Sequence, residues 1–326
     1  MEASMLAVLA LALLIDRVVG DPPALWARLP HPVVVFGKAI AFCDRNFNRA
    51  GASDAIRRRN GVMAIAALLC LSLFVGGVLE GILAAFGPLG FVLEVLVVAV
   101  LLAQKSLADH VGAVAAGLRA DGLEGGRRAV SLIVGRDPAT LDAPAICRAA
   151  IESLAENFAD GVVAPAFWYA ILGLPGILAY KMLNTADSMI GHKNEKYRDF
   201  GWASARLDDL ANWPAARLSA FVIAFATLFS QGVTAARRSL SVALRDAGLH
   251  RSPNSGWPEA AMAGALDIQL TGPRIYGGQR VSEPMINGAG RAVATAADIE
   301  DGVRVFYSAC HVLLGLVVLL ALIAVV

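Results

Sequence analysis

Apolar residues gather along the chain into six stretches: 5–19, 61–86, 89–103, 161–180, 218–233 and 305–326. A membrane-crossing helix needs about 20 predominantly apolar residues. The first stretch is short by that measure, and the last is the most secure. Stretches 61–86 and 89–103 are separated by only Gly87 and Pro88, which reads as a tight helical hairpin. Polar connections fill 20–60, 104–160, 181–217 and 234–304. Alternation of period two is scarce, and no repeat of fixed period is visible. The pattern predicts an all-α polytopic membrane bundle of five or six segments. It reads as a single domain over 1–326, with polar helical loops on the cytoplasmic face.

Orientation follows from arginine. The first connection carries Arg45, Arg49 and the run Arg57, Arg58, Arg59, and Arg-rich loops beside spans mark the cytoplasmic side. A hairpin over 61–103 returns the chain there, so 104–160, with Arg127 and Arg128, is cytoplasmic too. The stretch 161–180 is interrupted by Pro165 and by Gly173-Leu174-Pro175-Gly176, and Pro and Gly break helices. Two readings stand. One is a Pro-kinked full span. The other is a re-entrant helical pair that keeps both flanking polar stretches on one face, a break tolerated where it lines a protein cavity.

Composition agrees with a membrane protein. Hydrophobic residues make up 57% of the chain, against about 45–50% in soluble domains, and mean hydropathy is +0.61. Net charge is +1, with Lys and Arg dispersed among the loops, so nothing points to nucleic acid. Cys43, Cys70, Cys147 and Cys310 have no zinc or C-x-x-C spacing and read as buried thiols. The N-terminus has no basic residue before its apolar run, unlike a cleaved signal, so a retained first segment is expected.

Three polar constellations break the apolar pattern. In "ESLAENFADG", Glu152, Glu156 and Asp160 share a helical face with Ser153 and Asn157. Like charges so spaced repel unless solvated or joined by a cation or basic groups, and beside a membrane segment they invite functional suspicion. The second constellation places Asn184, Asp187 and Ser188 on one helical face that Gly191 ends. His192, Lys193 and Tyr197 follow, then Arg206, Asp208, Asp209 and Asn212, with Arg217 at the next membrane entrance. Carboxylate and amide oxygens are the hard ligands Mg²⁺ prefers, and Lys and Arg are what a phosphate requires. The third, "SPNSGWPE", combines turn residues around Asn254 with a helix start at Pro258 and Glu259. Exposed amides at such a start suit an anion, and Gly277-Gly278 would permit close backbone approach. Plainer readings stand beside each: a solvated acidic face, surface ion pairs, an N-cap with two turns. His31, between two prolines, is either a binding residue or part of a packed turn. No G-x-x-x-x-G-K-[ST] loop and no G-x-S-x-G elbow is present.

The stretches "DPPALWARLPHPVVVFGK", "ESLAENFADGVVAPAFWY", "NTADSMIGHKNEKYRDFGWASARLDDLANWPAARL" and "SPNSGWPEAAMAGALDIQL" resemble the adenosylcobinamide-phosphate synthase family of cobalamin biosynthesis, the CobD/CbiB proteins. The resemblance implies a multi-pass enzyme of the bacterial inner membrane, a ligase. It would join aminopropanol or aminopropanol phosphate to a propionate of adenosylcobyric acid, driven by ATP and Mg²⁺, and could meet later corrinoid-pathway enzymes. Under that reading Glu152, Glu156, Asp160, Asp187 and Asp208 include the base and the metal ligands, with Asp209 a further ligand. Lys193, Arg206 and Arg217 face phosphate. Asn157, Asn184, Ser188, His192, Tyr197, Asn212, Asn254 and Glu259 bind polar substrate groups. Trp168, Tyr197, Trp202 and Trp257 flank the corrinoid. Two other classes fit parts of the pattern: an intramembrane prenyltransferase binding Mg²⁺–diphosphate through "NTADS" and "DDLAN", and a non-catalytic transporter or sensor.

Overall fold

A computed structural model describes residues 2–135, 138–272, 274–276, 279–281 and 283–325. The described residues form twelve α-helices in chain order: α1 Glu2–Val18, α2 Pro23–Trp26, α3 Pro32–Phe47, α4 Asp54–Ala85, α5 Pro88–Val100, α6 Gln104–Val130, α7 Ala143–Phe158, α8 Ala164–Ile190, α9 Trp202–Ser230, α10 Val233–Asp246, α11 Gly256–Leu266 and α12 Ala296–Ile323. A five-residue π turn, Ala159–Val163, joins α7 to α8. Among the described residues strand is confined to two small antiparallel ladders, β1 Leu270–Thr271 with β4 Met285–Ile286 and β2 Arg274–Tyr276 with β3 Gln279–Val281. Among the described residues five helical stretches are long and apolar enough to cross a membrane: Asp54–Ala85, Pro88–Val130, Ala143–Ile190, Trp202–Ser230 and Ala296–Ile323. At 17 residues α1 is shorter than these, although Val8, Leu9, Ala12 and Leu13 are buried. Gly277 and Gly278 lie outside the described residues.

Helices extend further into polar sequence than hydropathy predicts. Arg57, Arg58 and Arg59 belong to the first turns of α4, the Asn184–Ser188 motif to the last turns of α8, and Arg206–Asn212 to the first turns of α9. The apolar stretch thus marks only part of each of these three helices. The expected loop 181–217 shrinks to the short link between α8 and α9. Cys70, expected to be buried, is exposed.

The chain divides into two compact units. The first comprises Met1–Ala103, Ala164–Asn212 and Val317–Val326, and the second Gln104–Val163 and Trp213–Leu316. In the first unit the core packs Ile40 of α3, Ile65 and Leu68 of α4, and Met182, Leu183, Ala186 and Ile190 of α8 around Phe200. In the second, α11 lies against α10 and α7. Phe158 meets Phe306 edge to face at 5.6 Å, a geometry that suits the ring quadrupoles.

The break inside 161–180 is a reversal. Gly173 has φ 63° and ψ −148°, a conformation costly for any residue with a Cβ. A Cβ on Gly176 would collide with the Trp168 carbonyl. Residues eight apart in a straight α-helix are about 12 Å apart along the axis, so 174–190 folds back against the preceding arm. The kinked full span is therefore replaced by a helical hairpin. Glu80 of α4 holds the turn: the Leu174 amide donates to its Oε2 at 3.2 Å. A carboxylate there complements the N-terminal dipole of the returning arm. Tyr169 in turn donates to Glu94 of α5 at 2.6 Å. Gly122 repeats the device in α6 (φ 61°, ψ −145°), where a Cβ on Gly117 would meet the Gly125 carbonyl.

Candidate functional site

The candidate residues fall into two clusters, one in each unit. In the second unit α7 presents Glu152, Ser153, Glu156 and Asn157. Asp142 caps the start of this helix, its carboxylate accepting from the Ala145 amide at 2.8 Å. Glu152 is buried, and its Oε1 accepts the Thr271 amide at 2.7 Å. The Thr271 hydroxyl donates to Glu259 Oε2 at 3.0 Å. The other oxygen of Glu259 lies 3.6 Å from His250 Nε2, both side chains being buried. Glu156 Oε1 accepts the Ser255 hydroxyl at 2.8 Å. The amides of Asn254 and Ser255 both donate to Ser252 Oγ at 3.2 Å. A cavity of about 160 Å³ is lined by Glu152, Ser153, Glu156, Asn157, His250, Arg251 and Glu259.

Thr271 has φ +63°, which is rare for a β-branched residue. The conformation turns its amide and its hydroxyl toward two different glutamates. Neither Thr271 nor His250 stands in a charged motif, so sequence reasoning passed over both. Asn157 donates to the Ser153 carbonyl at 2.9 Å and stays on the cavity rim. Asp160 sits in the π turn, half-buried. Arg217 is held between aromatic faces, 4.4 Å from the Trp213 ring and 5.1 Å from that of Trp257. It donates to Asn254 Oδ1 at 2.9 Å.

In the first unit the carboxylates sit where α8 ends and α9 begins. Asp208 is only 8% exposed. Its Oδ2 accepts from Asn212 Nδ2 at 3.0 Å, while its Oδ1 is buried with no hydrogen-bond partner. Asn184 and Asp187 are its polar neighbours from α8. Gly191 is required beside them, because a Cβ there would overlap the Asp187 carboxylate. Asp209, next along α9, turns elsewhere and pairs with Arg206 at 3.7 Å. Lys193 also acts on Asp209. Ser188, His192, Lys193 and Arg206 are exposed.

The link between the two helices is latched to α3 and α4. Lys196 Nζ donates to Asp44 Oδ2 at 2.7 Å, and the Tyr197 hydroxyl reaches the same oxygen at 3.3 Å. Arg57 spans from Asn48 Oδ1 (2.9 Å) to the Glu195 carbonyl (3.2 Å) and also binds the Lys196 carbonyl. Burial raises the Asp44 carboxyl, but the hydrogen bonds from Lys196, Asn48 and Tyr197 outweigh it and hold the carboxyl below its ordinary value. Arg58 stacks on Trp202 at 3.7 Å, and the Trp168 indole donates to the Ala211 carbonyl at 3.2 Å. His31 resolves as a packed turn: its Nδ1 caps α3 by accepting the Val33 amide at 3.2 Å.

Among the described residues no group of three His, Cys, Asp or Glu side chains is arranged to hold a metal. Mg²⁺ commonly takes only one or two carboxylates, with substrate phosphate and water completing its shell. The unanswered Oδ1 of Asp208 and the cradle that Gly191 leaves for Asp187 suit a cation of that kind.

A family model described as CobD/Cbib protein matches residues 9–306. Over 323 residues the chain is 68% identical to "Cobalamin biosynthesis protein CobD" of Sinorhizobium sp, covering 99% of this chain and 100% of that protein. The protein of the same name from Brucella suis biovar 1 is 54% identical over 318 residues, covering 98% and 97%. That from Rhodobacter capsulatus is 44% identical over 319 residues, again covering 98% and 97%. No solved structure matches the chain. A match that runs through all four polar stretches makes this chain a member of the CobD/CbiB family.

Proposed function

We propose that this protein acts in cobalamin biosynthesis as a ligase of the bacterial inner membrane. It uses ATP to join a propionate carboxyl of adenosylcobyric acid to aminopropanol or its O-phosphate. A carboxylate resists attack by an amine until one of its oxygens becomes a leaving group. Phosphoryl transfer from ATP gives an acyl phosphate and ADP. The neutral amine then adds to the acyl carbon, phosphate departs with one of the carboxyl oxygens, and the amine's proton passes to a base.

The observation that carries this reading is the acid-lined cavity of the second unit. At about 160 Å³ it lies well below the ~300–1,000 Å³ of ordinary ligand sites. It suits a short amine and excludes a corrinoid. Glu152 and Glu259 favour an incoming ammonium, Glu156 or His250 takes its proton, and Ser153 and Asn157 meet the amine's polar substituent. In the first unit Asp187 and Asp208 would hold Mg²⁺, which when bound neutralises charge developing on the transferred phosphoryl group. The exposed Lys193 and Arg206 offer donors to ATP phosphates.

The test is protein purified in detergent with adenosylcobyric acid, ATP, Mg²⁺ and each amine in turn. An amide product dependent on all four components is expected. ATP left intact, or release of diphosphate from a prenyl diphosphate, would move the assignment to another class.

A further inference from the structure

Tyr180 belongs to no charged motif, yet it donates into a directed chain of buried hydrogen bonds. Its hydroxyl lies 2.9 Å from Asn212 Oδ1. That oxygen can only accept, so tyrosine donates. The donation fixes which way the Asn212 amide faces and presents Nδ2 to Asp208 Oδ2 at 3.0 Å. An amide nitrogen can only donate, so Oδ2 is an acceptor, and the amide pins the orientation of the Asp208 carboxyl group. All three residues are buried, at 3%, 1% and 8% exposure. The chain stops at Oδ1, which is buried and has no hydrogen-bond partner. Among the described residues Asp208 forms no ion pair, since Arg206 turns to Asp209. The neighbours added by α8 are Asn184 and a second acid, Asp187.

A buried carboxylate oxygen left unanswered beside another carboxylate is costly. A positive partner relieves it, and a hard cation is one that two neighbouring carboxylates can share. We infer that Asp208 Oδ1 is a divalent-cation ligand and that Tyr180 is its positioning residue, acting through Asn212. This rests on the reading that Asp187 and Asp208 hold a cation, and it adds the residue that orients the ligand. Outer partners of metal ligands commonly change affinity by about 10–100-fold when removed.

The experiment titrates Mn²⁺ into the full-length protein in detergent and follows the free-ion electron paramagnetic resonance signal, with thermal midpoints measured in parallel. Tyr180→Phe should weaken Mn²⁺ binding by about 10-fold while its midpoint stays near that of the unaltered protein. Asp208→Asn should abolish binding. Tyr169→Phe removes a comparable hydroxyl from Glu94 and should leave Mn²⁺ affinity unchanged. Should Tyr180→Phe fail to fold, Asn212→Gln keeps the amide, displaces it by one methylene and carries the same expectation. Unchanged affinity in Tyr180→Phe, or undiminished binding in Asp208→Asn, overturns the inference. Mn²⁺ binding without amide product would leave the cation site standing and remove the ligase reading. Amide product with unaltered affinity in Tyr180→Phe would remove the relay alone.

Discussion

The acids of the two units look alike in sequence and differ in how their oxygens are answered. In the second unit the carboxylates meet protein donors: Glu152 the Thr271 amide, Glu156 the Ser255 hydroxyl, Glu259 the Thr271 hydroxyl. The result is a preorganised wall around a small cavity. In the first unit Asp208 is answered on one oxygen and left open on the other. A satisfied buried acid shapes a space. A half-satisfied one keeps an open acceptor that a cation or a proton can take, which offsets its desolvation cost. The lesson is that acidic residues near a membrane are better sorted by their unanswered oxygens than by their spacing.

The sharpest way to break this contrast is to neutralise one acid on each side. Asp208→Asn should reduce amide formation by more than about 100-fold, since a direct ligand outweighs its outer partners, and should abolish Mn²⁺ binding. Glu156→Gln should reduce turnover by about 100-fold, the lower range for a proton acceptor, with Mn²⁺ affinity unchanged. Equal Mn²⁺ losses in both would erase the distinction between the units. Gly173→Ala tests the hairpin. A positive φ and a Cβ directed at the Glu80 carboxylate should cost about 1–3 kcal/mol, read as a lower thermal midpoint. Thr271→Val leaves Glu259 without its hydroxyl donor and should cost about 1–3 kcal/mol by the same measurement.

The smallest expected effect is the pH dependence of the latch on α3. The folded Asp44 carboxyl lies below its ordinary value of 3.8. Its contribution is therefore complete above that value and fades as the pH falls through the lower folded one. Asp44→Asn should lower the thermal midpoint at neutral pH and converge with the unaltered protein in strong acid. A difference that persists undiminished in strong acid would assign the effect to packing instead.

Much of the fold was legible because its signals are local. Gly87 and Pro88 between two apolar runs announced one hairpin, while the Gly173–Gly176 interruption left a hairpin and a kinked span both open. The reversal at Gly122 was not foreseen, because it lies in a polar stretch without a span on either side to set it off. Helix ends were misjudged wherever polar motifs continue a span, as at Arg57–Arg59 and at Arg206–Asn212. Candidate acids were visible through their charge. Their partners were not: Tyr180, Thr271, His250, Glu80 and Glu94 are single polar residues in ordinary surroundings, and only the tertiary fold gives them a neighbour. Cys70 shows the same limit in reverse, since an apolar run in a membrane helix does not say which face meets lipid.

The central claim is that ATP activates a corrinoid carboxyl for attack by an amine, and transfer of oxygen tests it most directly. Adenosylcobyric acid labelled with ¹⁸O in its free propionate would be turned over with ATP and aminopropanol or its phosphate, and the released phosphate analysed by mass spectrometry. The account predicts one ¹⁸O atom in inorganic phosphate for each amide formed. Label found in AMP, or amide formed with unlabelled phosphate, would contradict it.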